Sequence, residues 1–278
     1  MMRKFFIGIT ITSLIVVVLY SFYIEPQKVN LKTVKIRNKA LASTFKKLKI
    51  VQLSDLHIGE NRSLSIKHTL TILNTLKPDL ILLTGDYVKW NAGKQAYDNA
   101  ISFLSKLSAP LGVYAVMGDA DYSFSRWSCL FCHSEGSTLP PIQHQVKFLR
   151  NARMDLEAGG TQFSIIGLGN SDYAPDLKTL HKMHNGKPTI VLSHVSSVYN
   201  SINATEDVLV LSGDTHGGQV FLPEFIWKII KRKPDVAHIY GLYRNENKSL
   251  YVTSGIGTSD LRFRFGMPPE VVLFEFIE

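Results

Sequence analysis

Only two cysteines, Cys129 and Cys132, occur in 278 residues, so no disulfide framework holds this chain together. No segment repeats at a period of 20–50 residues, which excludes a solenoid. Acidic residues are outnumbered, 23 Asp and Glu against 31 Lys and Arg, for a net charge of +8. That balance favours an anionic partner such as a phosphate ester, a nucleic acid or an acidic membrane surface. A hydrophobic content of 45% excludes a disordered chain, and the length allows one large domain or two small ones.

Charge is missing altogether from Phe5 to Ile24, FFIGITITSLIVVVLYSFYI, after Arg3 and Lys4 and before Glu25 and Pro26. Twenty helical residues span the roughly 30 Å of a bilayer's hydrocarbon core. The β-branched run Ile15–Val18 suits lipid, and Tyr20 and Tyr23 fall where an interfacial aromatic belt lies. A cleaved signal peptide is the alternative, but no small-x-small site follows the apolar run. Residues 1–24 therefore read as a single-pass anchor in the cell inner membrane, and 25–47 as a basic linker able to lie on anionic headgroups. More positive charge follows the span than precedes it, through Lys28, Lys32, Lys35, Arg37 and Lys39, which places the remainder, 48–278, on the cytoplasmic face.

In that remainder, short apolar runs alternate with helical patterns. Leu48–Leu53, Leu80–Thr84, Val113–Met117, Thr189–Ser193 and Val208–Ser212 have the length of buried strands, while Ser65–Leu76 and Tyr97–Leu107 carry apolar residues at helical spacing. Phe163–Leu168, Ser249–Thr253 and Val271–Phe276 read as further strands without helices between them. An α/β fold with a pair of mixed sheets flanked by helices accounts for this order.

Five of these strands end on chemistry. Leu53 leads to Asp55 and His57, Thr84 to Gly85 and Asp86, Met117 to Gly118 and Asp119, Ser193 to His194, and Ser212 to Gly213, Asp214 and His216. One such residue is ordinarily a cap or a satisfied turn. Five successive strand ends converging on one rim of a sheet form a carboxylate cluster that needs cations to hold it together. Oxygen and imidazole donors suit Mn²⁺, Mg²⁺, Fe or Zn²⁺, and a pair of such ions clamps a phosphate and supplies hydroxide near neutral pH.

The set resembles the calcineurin-like metallophosphoesterases, whose pattern is D-x-H, G-D, G-N-H-[DE], a lone H, and G-H-x-H. The flanking text IVQLSDLHIG, LLTGDYV, GGQVFLP and YVTSGIGTSDLRFRFGMPPEV is similar to the membrane-associated branch, which includes UDP-2,3-diacylglucosamine pyrophosphatases. The resemblance implies a four-layer α/β/β/α sandwich. It implies a first metal on Asp55, His57, Asp86 and His216, and a second on Asp86, Asp119, His194 and Asp214, with Mn²⁺ the expected ion.

This chain departs from the pattern at three positions. Asp119 replaces the usual Asn, Asp214 the usual first His of the last motif, and Ala120 the His that assists leaving-group departure. Both altered positions still carry a ligand, a carboxylate oxygen, which favours a working binuclear site over a silent metal-binding scaffold. Losing the proton donor tilts the chemistry toward P–O–P cleavage, because a phosphate leaves as a stable anion. Asp121 is the substitute proton donor or the residue that orients His194, itself assigned a catalytic role. Arg262, Arg264 and Trp227 are candidates for holding substrate, the last within the apolar and basic run Phe221–Pro234.

The expected partners are thus the membrane and a phospholipid or nucleotide-lipid substrate. No nucleic-acid motif is present, and no protein partner is inferable. Cys129-x-x-Cys132-His133 formally matches a haem attachment motif, but a substrate lid over Tyr122–Gln143 is the plainer reading.

Overall fold

The computed structural model describes residues 2–61, 63–90, 92–121, 144–171, 174–175, 180, 182–221, 238–259 and 261–278. Along the chain, α1 (Met2–Leu19) is followed by β1 (Asn30–Arg37), α2 (Lys39–Phe45), β2 (Ile50–Leu53), α3 (Leu64–Leu76), β3 (Leu80–Leu83), α4 (Lys94–Leu104), β4 (Val113–Ala115) and β5 (Lys147–Phe148). Then come β6 (Ala152–Ala158), β7 (Thr161–Gly167), the short pair β8 (Asn170–Ser171) and β9 (Ala174–Pro175), β10 (Thr189–Leu192) and β11 (Val208–Ser212). A last group, β12 (Gly241–Asn245), β13 (Lys248–Val252) and β14 (Glu270–Ile277), completes the domain.

Two six-stranded sheets form, in the orders β1-β14-β2-β3-β4-β5 and β12-β13-β11-β10-β7-β6. Alternation explains why they stack. Ile50, Leu80, Leu82, Ile190, Leu192, Leu209 and Leu211 face one shared core between the sheets. The intervening Val51, Ile81 and Leu83 pack outward against Leu73, Phe103 and Leu104 of α3 and α4. On the other sheet, Val191, Val208 and Val210 pack outward against Val198, Tyr199 and Ile202. Strands buried on both faces must read as continuous apolar runs, which is why their sequences stand out.

The domain begins earlier than residue 48, which corrects the expected linker. β1 pairs in parallel with β14 from Asn30 to Arg37, and Leu41, Ala42 and Phe45 of α2 enter the core between the sheets. The Phe45 ring meets those of Phe163 and Phe276 at centroid separations of 4.9 and 5.0 Å. Val34 and Ile36 of β1 are buried and its lysines are exposed, so these charges sit on an edge strand rather than in a linker.

The N-terminal segment Lys4–Gln27 is one helix long and apolar enough to cross a bilayer, with Phe5, Phe6, Leu14, Ile15 and Val16 exposed. Its foot is docked rather than free. Ser21 O accepts the amide of Arg264 at 3.0 Å, and the Phe22 ring meets Phe263 at 4.9 Å.

Candidate metal centre

β2, β3 and β4 run parallel in one sheet, and β10 and β11 run parallel in the other. Their carboxyl ends share a rim, where ligands gather in α/β folds. The loops there are laced together: Asp55 N donates to Gly85 O (2.9 Å), His57 N to Asp86 O (3.0 Å), and Gly213 N to His194 O (3.0 Å). Asp55, His57, Asp86, Asp214 and His216 all adopt left-handed backbone, with φ between 42° and 70°. That conformation costs about 1–3 kcal/mol per residue and persists where surrounding structure enforces it, as at functional sites. Gly118 explains its own identity, since a Cβ there overlaps the Asp86 carboxylate.

All seven predicted ligands come together in overlapping groups. In one, His57 Nε2 lies 2.9 Å from His216 Nε2 and 3.4 Å from Asp86 Oδ2, while His216 Nε2 lies 3.7 Å from Asp55 Oδ1. In the other, His194 Nε2 stands 3.5 Å from Asp86 Oδ1, 3.6 Å from Asp119 Oδ1 and 3.8 Å from Asp214 Oδ1. Asp86 thus reaches both groups with different oxygens. Asp119 and Asp214 are partly open to solvent, whereas Asp55, Asp86, His194 and His216 are buried.

These donors fit a pair of divalent cations. His194 Nδ1–H donates to Thr84 O at 2.7 Å, which turns Nε2 toward the rim as the ligand atom, where a cation would take the place of its proton. That Nε2 is buried, makes no hydrogen bond, and faces three carboxylates. Burial, with His194 as the next cause, lowers His57 to about 3, and burial with His57 beside it lowers His216 well below the ordinary value. Both rings stay neutral and able to donate a lone pair. Burial also raises Asp55 to about 6 and Asp86 well above the carboxylate range. For His194, burial opposes the charge, but Asp86, Asp119, Asp55 and Asp214 outweigh it and push the pKa up. Without cations, protons are what keep this cluster from repelling itself.

A pH dependence follows. Asp55 is protonated below about 6, so a metal ion must displace that proton, and the raised pKa stabilises the metal-free fold only at low pH, an effect lost as pH climbs through about 6. Mn²⁺ affinity is expected to rise at least roughly tenfold per pH unit between pH 5 and 7, with proton release, because Asp86 and His194 also hold protons that a cation displaces. Titration calorimetry in buffers of different ionisation enthalpy measures both; a flat affinity between pH 5 and 7 contradicts this.

Two expected roles change. Asp121 is fully buried and does not face the rim. Its Oδ2 accepts the amides of Asp86 (2.7 Å) and Gly118 (2.8 Å), and its Oδ1 that of Tyr87 (2.6 Å). It braces the two ligand loops, because a carboxylate is the acceptor that can gather three converging N–H groups. Arg264 is fully buried as well, and not available to a substrate phosphate. It donates to Gly257 O, Met267 O and Ser254 O, and its Nη2 stands 3.4 Å from His216 Nδ1. Arg262, two residues away, is exposed and lines a cleft beside His57. Lys89, Thr258 and Gln27 line the same cleft. Lys89 lies three residues after Asp86, the one local signal that could have found it; nothing local marks Gln27. Trp227, Cys129, Cys132 and the expected lid lie outside the described residues.

The model of the calcineurin-like phosphoesterase family matches residues 48–241. The chain is 30% identical over 264 residues to the uncharacterized metallophosphoesterase YkuE of Bacillus subtilis, covering 92% of this chain and 88% of that protein. It is 30% identical over 271 residues to YkoQ of the same organism, with 92% and 94% covered. Over 283 residues it is 28% identical to the UDP-2,3-diacylglucosamine pyrophosphatase LpxG of Chlamydia trachomatis, with 81% and 82% covered. Two facing sheets, a rim of Asp and His side chains grouped for divalent metal ions, and these matches lead to one conclusion: the chain belongs to the calcineurin-like phosphoesterase family, whose members are metal-dependent hydrolases of phosphorus-containing bonds.

Proposed function

We propose that this enzyme cleaves the pyrophosphate bond of a nucleotide-linked lipid at the cytoplasmic face of the cell inner membrane, with UDP-2,3-diacylglucosamine as substrate and UMP and 2,3-diacylglucosamine 1-phosphate as products. The observation that carries the reading is Ala120. Its amide donates to Asp86 Oδ1 at 3.0 Å, so its backbone is part of the metal centre, yet its side chain is only a methyl group. A phosphate leaves from a P–O–P linkage as a stable anion and needs no proton from that position, unlike the alkoxide of a simple ester. The name of the LpxG relatives and the apolar N-terminal helix support the lipid-linked substrate.

Asp55, His57, Asp86 and His216 would hold one ion, and Asp86, Asp119, His194 and Asp214 the other. When bound, two such ions supply Lewis acidity toward the phosphate and a hydroxide near neutral pH. The protein's own groups set the conditions for that. Neutral His57 and His216 present ring lone pairs, Thr84 O holds His194 Nδ1 so that Nε2 faces the rim, and Asp121 fixes the spacing of the Asp86 and Asp119 loops. Asp119 and Asp214, at the open side, add negative charge that repels an anionic substrate unless both ions are present. Oxygen donors in that half favour Mn²⁺ or Mg²⁺.

The test compares the full chain, in detergent with Mn²⁺, on UDP-2,3-diacylglucosamine and on bis(p-nitrophenyl) phosphate, with Asp55→Ala as the blank. UMP release at the higher kcat/KM is expected. Turnover of the aryl diester alone points instead to a broad phosphodiesterase. Bound metal without turnover of either marks a silent scaffold.

A further inference from the structure

A cleft of about 600 Å³ opens beside His57 and reaches the foot of the N-terminal helix. Its walls come from segments far apart in the chain: Pro26 and Gln27 from the helix foot, Ser63 at the start of α3, Lys89 after the Asp86 turn, and Thr258 and Arg262 from the loop after β13. The helix foot is held in place by the Ser21–Arg264 and Phe22–Phe263 contacts, and by Gln27 O, which accepts from His68 Nδ1 of α3 at 3.0 Å. Arg264 in turn backs His216. One unbroken set of contacts therefore connects the membrane helix to the metal centre.

The chemistry of the walls is specific. Among the described lining residues, Lys89 and Arg262 are exposed cations set against one acid, Glu60. Gln27, Ser63 and Thr258 add neutral hydrogen-bonding groups. Cations with amide and hydroxyl donors suit a phosphate carried on a polar headgroup. Apolar side chains flank the same region: Leu64 lines the cleft, Leu261 adjoins Arg262, and Tyr23 and Ile24 belong to the helix foot, all exposed. A ligand with a phosphorylated head and acyl chains matches both parts.

We propose that this cleft receives the phosphate-bearing headgroup of a lipid, with the foot of the N-terminal helix as one wall, so that the helix belongs to the binding site and is more than a tether. The proposal rests on the lipid-linked substrate reading for its ligand, but on the cleft itself for its location.

The test uses the full chain in micelles and three probes of equal chain length: 2,3-diacylglucosamine 1-phosphate, phosphatidic acid and neutral diacylglycerol. Both phosphorylated lipids are expected to bind more tightly than the neutral one. Preference for the sugar phosphate identifies the substrate as the source of the headgroup, and equal binding identifies bilayer lipid. The double variant Lys89→Met/Arg262→Met is expected to weaken phosphorylated-lipid binding at least tenfold, and Gln27→Ala severalfold. Lys94→Met, an exposed residue at the start of α4, serves as the control without effect. Undiminished binding in the double variant, or no preference over diacylglycerol, overturns the site; undiminished binding in Gln27→Ala removes the helix foot from it. Absence of UMP release with lipid binding intact counts against the substrate reading and leaves the cleft standing.

Discussion

Replacing Asp86 by Ala is expected to strip the enzyme of both metal ions and to lower kcat/KM about 10³-fold or more, the equivalent of several kcal/mol of transition-state stabilisation. The reason is positional. Oδ2 of Asp86 stands 3.4 Å from His57 Nε2 and Oδ1 stands 3.5 Å from His194 Nε2, so a single carboxylate reaches both groups of ligands. Loss of Asp119 or Asp214 removes one donor from one group and is expected to cost less. Metal content by mass spectrometry and turnover of an aryl phosphodiester are the measurements. Asp86→Asn, which keeps the shape and the acceptor toward Ala120 N, separates the loss of charge from a local collapse. Two retained ions in Asp86→Ala would remove the bridging role.

The second large effect is on stability. Arg264→Met is expected to destabilise the domain by about 3–5 kcal/mol, because it strands buried carbonyls that each cost about 1–3 kcal/mol without a donor. Those carbonyls belong to Ser254, Gly257 and Met267, at 2.5–3.1 Å from the guanidinium. Burial lowers the Arg264 pKa to about 10, which still leaves it charged at neutral pH. With about 2–4 °C lost per kcal/mol in a domain of this size, the melting temperature should fall by roughly 6–20 °C. Arg264→Lys should recover little, since an ammonium on one stem cannot span acceptors arranged around a planar fork. A melting temperature within about 2 °C of the unsubstituted chain, with only KM altered, would return Arg264 to the substrate-binding role expected from its position in the motif.

Much of the centre is legible in the order of residues. Strand runs such as Leu80–Leu83 and Val208–Ser212 are apolar throughout because both of their faces are covered, and the Asp, His and Gly residues follow them immediately. β1 is concealed for the opposite reason. With its lysines exposed and only Val34 and Ile36 buried, it resembles a basic linker. β6 alternates half-buried and exposed positions and gives a similarly weak pattern.

What the sequence alone determined is which side chains close each strand, since strand length and the following glycine turn are local properties of the chain. Folding decided how the remaining polar groups are used. Asp121 and Arg264 carry the same charges that a substrate-facing acid and a phosphate-binding arginine would carry, yet both point inward to backbone amides and carbonyls. Whether a charged group faces solvent or braces a loop depends on which backbone dipoles arrive around it from distant segments. The same holds for Gln27, Lys89 and Arg262, which meet around one cleft only because the helix foot, the Asp86 turn and the loop after β13 are packed together.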